Sequence, residues 1–457
     1  MAVGGAAVAR PAAAQHVHRP APAPVNAGPR LPLTSPVFAP GIPAVDAPDL
    51  PKMPWRMEDG VKVFNIRTEA VRTEFVPGRI VDAWGFNGSV PGPTIEVMEG
   101  DRLRLIVENG LPEPFTMHWH GLEVPMHMDG GPGLSQDPIL PGGRFTYEFT
   151  VRQNGTFFYH SHGAMQEMMG MIGLFIIHPR QAYTPTVHRD FGLVFQEWAI
   201  LPNNTIPNTL AMEFNWLTIN GKAGPATTPM LVKAGERVRI RMVNLGMDHH
   251  PIHLDGNTFY ITGTEGGRIH TTAKEPGNTV LLGVAQSRDL EFEANNVGDW
   301  MLHCHLPHHM MNQMASMVGP MMEVSTGLKP GGMSPGMGIV GGAALSEQSG
   351  PAFGRTLAIG AEAERAAPNT PMGTSRQPAF LQPGRADTRT RYPGYPQDMF
   401  MAMDDLFKDK PETYGLRPGW TMAMMGMMTL VRVLEPELFD RIHELKAQQA
   451  QAARGAR

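Results

Sequence analysis

The chain of 457 residues contains two copies of one pattern. Residues 93–109 are echoed by residues 228–244, where a turn glycine, an acidic residue and Arg-x-Arg recur in register, and Gly155–His162 is echoed by Gly298–His305. Between these motifs, short runs of alternating polar and apolar residues are separated by Gly, Pro and Asn, as is typical of antiparallel strands. The repeat therefore predicts an all-β chain with two related Greek-key β-sandwich domains.

The composition changes outside the repeat and indicates the domain boundaries. The predicted segments are a disordered tail or signal remnant at 1–57, a first domain at 58–180, a second domain at 190–326, a flexible linker at 327–395 and a Met-rich, partly helical extension at 396–457. The linker is rich in Gly, Pro, Met and Ala, which bury too little apolar surface to fold. The extension carries one helical stripe, Leu438, Ile442 and Leu445, which is expected to pack on the core or on a partner.

The first residues bear on where the protein works. Met1–Gln15 has the small residues of a signal-peptide end, but it lacks a basic start and has only a weak apolar run. A disordered Ala/Pro-rich tail would have the same composition. The export signal is therefore incomplete in this sequence, and we expect a periplasmic or exported protein without a membrane span, because no apolar run approaches the ~20 residues of a bilayer helix.

The charge and cysteine counts exclude several classes of function. Lys and Arg total 38 against 43 Asp and Glu, with no basic stripe, so nucleic acid is a poor partner. The single cysteine, Cys304, excludes intramolecular disulfides and cysteine-ligated zinc cages. The chain has 33 Met and 18 His, and thioether and imidazole groups together are ligands for copper. Copper is therefore the expected cofactor.

The histidines are grouped in four clusters. These are His118-Trp-His120, His160-Ser-His162, His250-Pro-Ile-His253-Leu-Asp255 and His303-Cys304-His305 followed by His309 and Met314. Side chains two apart on a strand point to the same face, so each His-x-His pair can bind one metal site. The same rule puts Cys304 on the face opposite His303 and His305, so that one strand can hold a metal on each side.

The Cys304 side has the composition of a blue-copper site. Such sites take two His and one Cys with a weak axial Met. His309 follows Cys304 by five residues and Met314 follows it by ten, in a loop that contains Pro307, while His250 can supply the second imidazole.

In this order and spacing, the four clusters resemble those of multicopper oxidases of the laccase and cuprous-oxidase type, which are built from cupredoxin domains. The resemblance covers about Val61 to Val324 and implies two cupredoxin-like domains with four copper ions in each functional unit. It assigns Cys304, His250, His309 and Met314 to type 1 copper, His118 and His253 to type 2 copper, and His120, His160, His162, His303 and His305 to the type 3 pair.

The resemblance also implies an activity. A reducing substrate, Cu(I) or a phenol, would be oxidised by single electrons at type 1 copper, and Cys304 with His303 and His305 would pass them to the trinuclear site, where dioxygen is reduced to water. Asp255 stands where the family has a type 3 histidine. Either this carboxylate is itself a ligand, or the chain is a copper-binding or electron-transfer protein with impaired oxygen reduction.

The position of the cysteine separates the two-domain relatives. Copper nitrite reductases carry the blue-copper cysteine in the first domain, where this chain has Ser161. The arrangement here is similar to that of two-domain laccases, whose trinuclear site forms between subunits, so a homotrimer is implied.

The methionines outside the type 1 loop have two interpretations. They could form a thioether site for Cu(I) in copper tolerance, or they could fill the core as flexible side chains. Residues 399–428 are the better candidate for a thioether site.

Overall fold

The alternating segments form strands in the structure, a computed structural model that describes residues 38, 40–200, 204–212, 214–310 and 403–455. The strands of the first sandwich are β1 (Trp55–Glu58), β2 (Val61–Glu74), β3 (Ile80–Phe86), β4 (Gly92–Met98), β5 (Arg102–Asn109), β6 (Met117–His120), β7 (Arg144–Thr150), β8 (Gly155–Ser161) and β9 (Ile172–His178). Short helices lie at Met126–Met128 and at α1 (Ala164–Glu167).

Two sheets form the first sandwich. One has the order β1-β2-β5-β7 with β3 also paired to β2, and the other has the order β4-β9-β8-β6. On β5 the alternation predicted from sequence is visible, because Leu103, Leu105 and Val107 are fully buried while the residues between them are more exposed. These side chains meet Trp119 and Phe175 of the opposite sheet and form the first core.

The second sandwich repeats this plan. Its strands are β10 (Arg189–Trp198), β11 (Trp216–Ile219), β12 (Met230–Lys233), β13 (Arg237–Asn244), β14 (His250–Leu254), β15 (Phe259–Thr264), β16 (Gly267–Arg268), β17 (Glu275–Gly277), β18 (Thr279–Leu282), β19 (Ser287–Glu293), β20 (Gly298–Cys304) and β21 (Met428–Leu434). One sheet has the order β11-β10-β13-β19-β15-β16 with β17 on β15, and the other has the order β12-β21-β20-β14-β18. The prediction of an all-β chain with two β-sandwiches is confirmed.

The last strand of the second sandwich comes from far along the chain. After β20 the chain forms α2 (Pro307–Met310), and β21 then lies between β20 and β12, antiparallel to the former and parallel to the latter. The structure thus differs from the predicted boundary at 326, because the second core includes Met427, Val431 and Val433. The predicted linker at 327–395 lies outside the described residues.

The end of the chain packs on this sandwich. Short helices lie at Asp404–Leu406, Pro411–Thr413 and Trp420–Ala423, and α3 spans Pro436–Gly455. Another short helix, Thr271–Ala273, lies earlier in the chain, between β16 and β17. On α3 the predicted stripe is present, with Ile442 fully buried and Leu438 and Leu445 half-buried. Phe439 and Ile442 contact Leu231 and Leu434, so the helix covers the edge of the β12–β21 pair.

Ahead of β1, the chain is also ordered. Val45, Ala47 and Met53 are buried, and the first two pack against Leu174 and Val194 of the two sandwiches. The structure therefore differs from the predicted tail, whose boundary at residue 57 falls later than the first buried residues. Among the described residues, no helix combines the length and apolar character that a membrane crossing requires.

A buried ionic network joins the two sandwiches. Asp190 on β10 accepts two hydrogen bonds from Arg241, at 2.8 and 2.9 Å, and one from Arg239 at 3.2 Å. Arg241 also donates to the hydroxyl of Thr156 on β8, at 2.8 Å, and that hydroxyl donates to Asp289 at 2.6 Å. Because every charge has a partner, the network is tolerated inside the molecule and sets how the two sandwiches dock.

Removing one partner of this network should be costly. Asp190→Ala removes the carboxylate that accepts from both arginines and leaves the buried Arg241 with Asp289 at 3.6 Å as its remaining acidic partner. We therefore expect the free energy of unfolding to fall by about 3–5 kcal/mol, measured by urea denaturation followed by tryptophan fluorescence. The matched control is Glu58→Ala, since Glu58 pairs with arginines at the surface and its loss should have a much smaller effect. Equal effects of the two substitutions would show that the network does not stabilise the fold.

Candidate copper sites

Three side chains converge in the second sandwich. Nδ1 of His250 lies 3.1 Å from Nδ1 of His309, and Sγ of Cys304 lies 3.7 Å and 3.5 Å from these two atoms. The point equidistant from the three atoms is about 2.0 Å from each, close to the length of a metal–imidazole bond. Two imidazoles and one thiolate are the ligands of a blue-copper site, so the donors and their spacing fit copper.

Strand geometry explains how these residues meet. His250 and His253 are three residues apart on β14, so they point to opposite faces, and His250 points into the buried side. Ile252 pairs with Cys304 on β20, and both side chains are fully buried in the second core. His309 comes from α2, and its carbonyl accepts a hydrogen bond from the N–H of Met427 at 3.1 Å. Residues just before β21 therefore hold the loop that carries His309.

Burial changes the protonation of the thiol. It raises the pKa of Cys304 to about 12, with Glu197 and Asp248 adding to the rise. Without a cation the group is therefore a thiol at neutral pH, and binding of copper must displace its proton.

A second cluster of imidazoles lies on the first sandwich. His118 pairs with His160 across β6 and β8, and Trp119 between His118 and His120 is fully buried in the core, so both histidines point away from it. The ring centroid of His118 lies 5.6, 5.2 and 4.9 Å from those of His120, His160 and His162. One ring nitrogen each of His118, His120 and His160 lies within 4.8 Å of the other two.

These rings are in the form that binds a metal. Nδ1 of His118 lies 2.8 Å from the carbonyl oxygen of Asp129, and Nδ1 of His160 lies 2.6 Å from that of Ser161. A carbonyl only accepts, so Nδ1 carries the proton and Nε2 keeps its lone pair. Burial and the neighbouring imidazoles lower the pKa of His120 to about 4, which leaves this ring neutral at pH 7.

A third cluster lies on the outer face of the second sandwich. His253 pairs with His303 across β14 and β20, and the centroids of His253, His303 and His305 lie 5.4 to 5.6 Å apart. Cys304 points to the other face of β20. The alternation predicted for this strand from the sequence is therefore present in the structure.

Asp255 belongs to this third cluster. Its Oδ1 lies 3.0 Å from Nε2 of His253, whose Nδ1 lies 2.7 Å from the carbonyl oxygen of Asn278. That carbonyl places the proton on Nδ1, so the Nε2 lone pair faces a carboxylate. Two acceptors at this distance need a proton or a cation between them, so this place is suited to bound metal.

No close group of ligand atoms in the described part of the chain combines the second and third clusters. Among the described residues, the groups whose ligand atoms come within 4.8 Å of one another are His118, His120 and His160, and His250, Cys304 and His309; neither mixes the two sandwiches. His162 and His305 are exposed. Met314 lies outside the described residues.

The structure adds four carboxylates that the sequence did not indicate. Glu197 lies 2.6 Å from Nε2 of His250, Asp248 lies 3.6 Å from Nε2 of His309, and Asp129 and Glu167 lie 3.6 Å and 3.2 Å from Nδ1 of His118 and His160. Only Glu197 carried a signal, because it is a charged residue that closely follows the apolar run Phe191–Phe195 within strand β10. The others lie in loops or at helix ends, where acidic residues are ordinary.

Comparison with known proteins agrees with this geometry. Two family models described as multicopper oxidase match residues 68–182 and 200–320. The crystal structure of a blue copper oxidase from Nitrosomonas europaea is 33% identical, with a TM-score of 0.50, over 54% of this chain and 80% of that chain. The chain therefore belongs to the multicopper oxidase family, a family of copper-dependent oxidoreductases, and the predictions of the family and of copper as cofactor are confirmed.

Other relatives match over shorter lengths. A copper resistance protein A homologue of Pseudomonas syringae pv. tomato is 41% identical over 124 residues, which are 27% of this chain and 21% of the homologue. Laccase-2 of Botryotinia fuckeliana is 32% identical over 242 residues, which are 48% of this chain and 40% of the laccase. The chain thus spans less than half the length of these two relatives.

Proposed function

We propose that the protein is an oxidase that couples one-electron oxidation of Cu(I) or a phenolic substrate to the four-electron reduction of dioxygen to water. The observation that carries the proposal is the triangle formed by His250, Cys304 and His309, with His303 and His305 on the opposite face of the same strand. An electron-rich thiolate site and an imidazole cluster are thus joined through one residue.

The proposed ligands follow the family pattern, except that Asp255 replaces one type 3 histidine. His250, Cys304, His309 and Met314 would hold type 1 copper, His118 and His253 type 2 copper, and His120, His160, His162, His303, His305 and Asp255 the type 3 pair. Bound copper would supply one-electron exchange at the first set and reduction of dioxygen at the second. Cys304 is bonded through the backbone to both His303 and His305, so the two sets are connected covalently.

The methionines favour Cu(I) as one substrate. Met424 and Met428 are buried in a cluster with Met301, Met310 and Trp420, and Met310 directly follows His309. Thioethers are soft ligands that suit Cu(I), and a relative is named for copper resistance. Met427, in contrast, belongs to the apolar second core, where it fills space. We also propose an exported or periplasmic location, which is consistent with oxidation of Cu(I) in copper tolerance.

We further propose that the functional unit is a homotrimer, in which the imidazoles of one subunit's first sandwich complete those of its neighbour's second. This arrangement is supported by the ligand groups themselves, because none that lies within 4.8 Å in the described residues combines the two sandwiches of one chain. Large apolar side chains are exposed on elements that adjoin both clusters, with Met126 at 69% in the short helix before Asp129 and Leu281 at 59% on β18, which pairs with β14. Apolar surface of this kind is typical of subunit contacts.

A complementation experiment tests the shared site. One variant, His118→Ala with His160→Ala, lacks the first-sandwich ligands, and the other, His253→Ala with His303→Ala, lacks those of the second. Each variant alone should be inactive. In trimers formed at random from the two variants, about a quarter of the shared sites should have both sets of ligands intact, so co-expression should restore activity to that extent. Oxygen uptake and copper content measure the recovery. No recovery, together with a fully copper-loaded monomer in sedimentation, would contradict the trimer. Two copies of the same variant serve as the control.

Oxygen consumption separates the oxidase from its alternative. With Cu(I) or a phenol as reductant, we expect uptake of one dioxygen for every four electrons, without release of hydrogen peroxide. A blue protein that accepts electrons but consumes no oxygen would instead be an electron-transfer protein whose trinuclear site is disabled by Asp255.

A further inference from the structure

A carboxylate is buried behind one ligand of the proposed type 1 site. Glu197 lies on β10 inside the second sandwich and is fully buried, with its Oε1 2.6 Å from Nε2 of His250. Its oxygens also accept hydrogen bonds from the backbone N–H of Met247 at 3.0 Å and of Asp248 at 3.3 Å. A buried charge without partners is strongly unfavourable, and these contacts satisfy it.

The other nitrogen of His250 faces the ligand triangle. A neutral imidazole has one proton, so if Nδ1 keeps its lone pair towards Cys304 and His309, Nε2 must carry the proton. That N–H then faces Glu197. The approach has the length of a hydrogen bond but is off its axis, so the pair is best described as a contact between the carboxylate charge and the N–H dipole.

A glycine makes room for this carboxylate. A Cβ atom on Gly246 would lie 1.6 Å from Oε2 of Glu197, so no larger residue fits while Glu197 keeps its place. Gly246 begins the turn that carries Asp248 and leads directly into His250. Glu197 therefore contacts both the ring of His250 and the backbone that delivers it.

The second imidazole has a different environment. Nε2 of His309 lies 3.6 Å from Oδ2 of Asp248, whose side chain is 31% exposed. The Asp248 carboxylate is therefore partly screened by water, whereas Glu197 is fully buried and acts through the interior, where electrostatic interactions are stronger. The two ligands are therefore unequal.

We propose that Glu197 is a positioning residue of the type 1 site, which holds His250 with Nδ1 towards Cys304 and, by its buried negative charge, favours Cu(II) over Cu(I). This inference rests on the proposed type 1 ligand set. Carboxylates behind ligating histidines orient the ring and raise its basicity. A negative charge in the interior stabilises the more positive ion and so lowers the reduction potential.

The reduction potential tests the proposal. In copper-loaded Glu197→Gln, titration of the visible band with redox dyes should show the Cu(II)/Cu(I) equilibrium shifted at least tenfold towards Cu(I), which is about 59 mV for one electron. Glu197→Asp restores the charge and should return the potential towards that of the wild type. Gly246→Ala should shift it in the same direction as Glu197→Gln, because the new methyl group occupies the place of the carboxylate. The control is Glu275→Gln, an exposed acid on β17.

Several results would overturn the proposal. An unchanged potential in Glu197→Gln with copper still bound would remove the electrostatic role. If that variant fails to fold, the tautomer of His250 in the metal-free wild type, read by nitrogen NMR, decides instead, and a proton on Nδ1 would contradict the positioning role. Absence of the visible band from the wild type would refute the type 1 assignment itself, and loss of oxygen uptake with a normal band would refute only the oxidase.

Discussion

Cys304→Ser is expected to abolish the visible absorption of the copper-loaded protein and leave both sandwiches folded. The intense band of a blue-copper site arises from charge transfer between thiolate and copper, and Cys304 is the only sulfur in the triangle with His250 and His309. The cysteine is a small part of a large apolar core, so the fold does not depend on its sulfur. Absorption spectroscopy, copper analysis and circular dichroism measure the three quantities.

The internal repeat supplies a matched control for this experiment. Ser161 is the counterpart of Cys304 in the first sandwich and is likewise fully buried. Ser161→Ala should keep the band at full strength. The hydroxyl of Ser161 donates a hydrogen bond to Gln166 and is not part of the triangle of His250, Cys304 and His309. A band that survives in Cys304→Ser would refute the central assignment.

Asp255→Ala is expected to weaken copper binding at the trinuclear half-site and lower oxygen turnover. The lone pair of His253 Nε2 faces Oδ1 of Asp255 at 3.0 Å, so the substitution removes a carboxylate that lies among the proposed copper ligands. The expected loss of copper affinity is about 10–100-fold or more, measured by competition with a chelator. Asp255→His should preserve or raise turnover, since it restores the histidine of the family pattern.

A different outcome would assign Asp255 another role. If it only orients a ligating imidazole or relays protons, Asp255→Ala should keep full copper and lose rate, more strongly at high pH, where protons are scarce. Glu275→Ala, which removes an exposed acid, is the control for both readings. Unchanged copper and unchanged rate in Asp255→Ala would exclude both roles.

Local patterns in the sequence were sufficient for the fold class and for the arrangement of the histidines on their strands. The alternation of side chains along a strand is a property of the backbone, so spacings of two and three residues report faces directly. This is why His303 and His305 lie on one face of β20 with Cys304 on the other, and why His250 and His253 separate on β14. The motif also indicated copper, because its donors are imidazole and thiolate.

Tertiary structure alone decided which distant segments meet. Strand β21 joins the second sandwich although more than a hundred residues separate it from β20 along the chain, and Glu197 reaches His250 from another sheet. No local periodicity reports such pairings, since they depend on which strand edge and which buried polar group remain to be satisfied once the sheets pack.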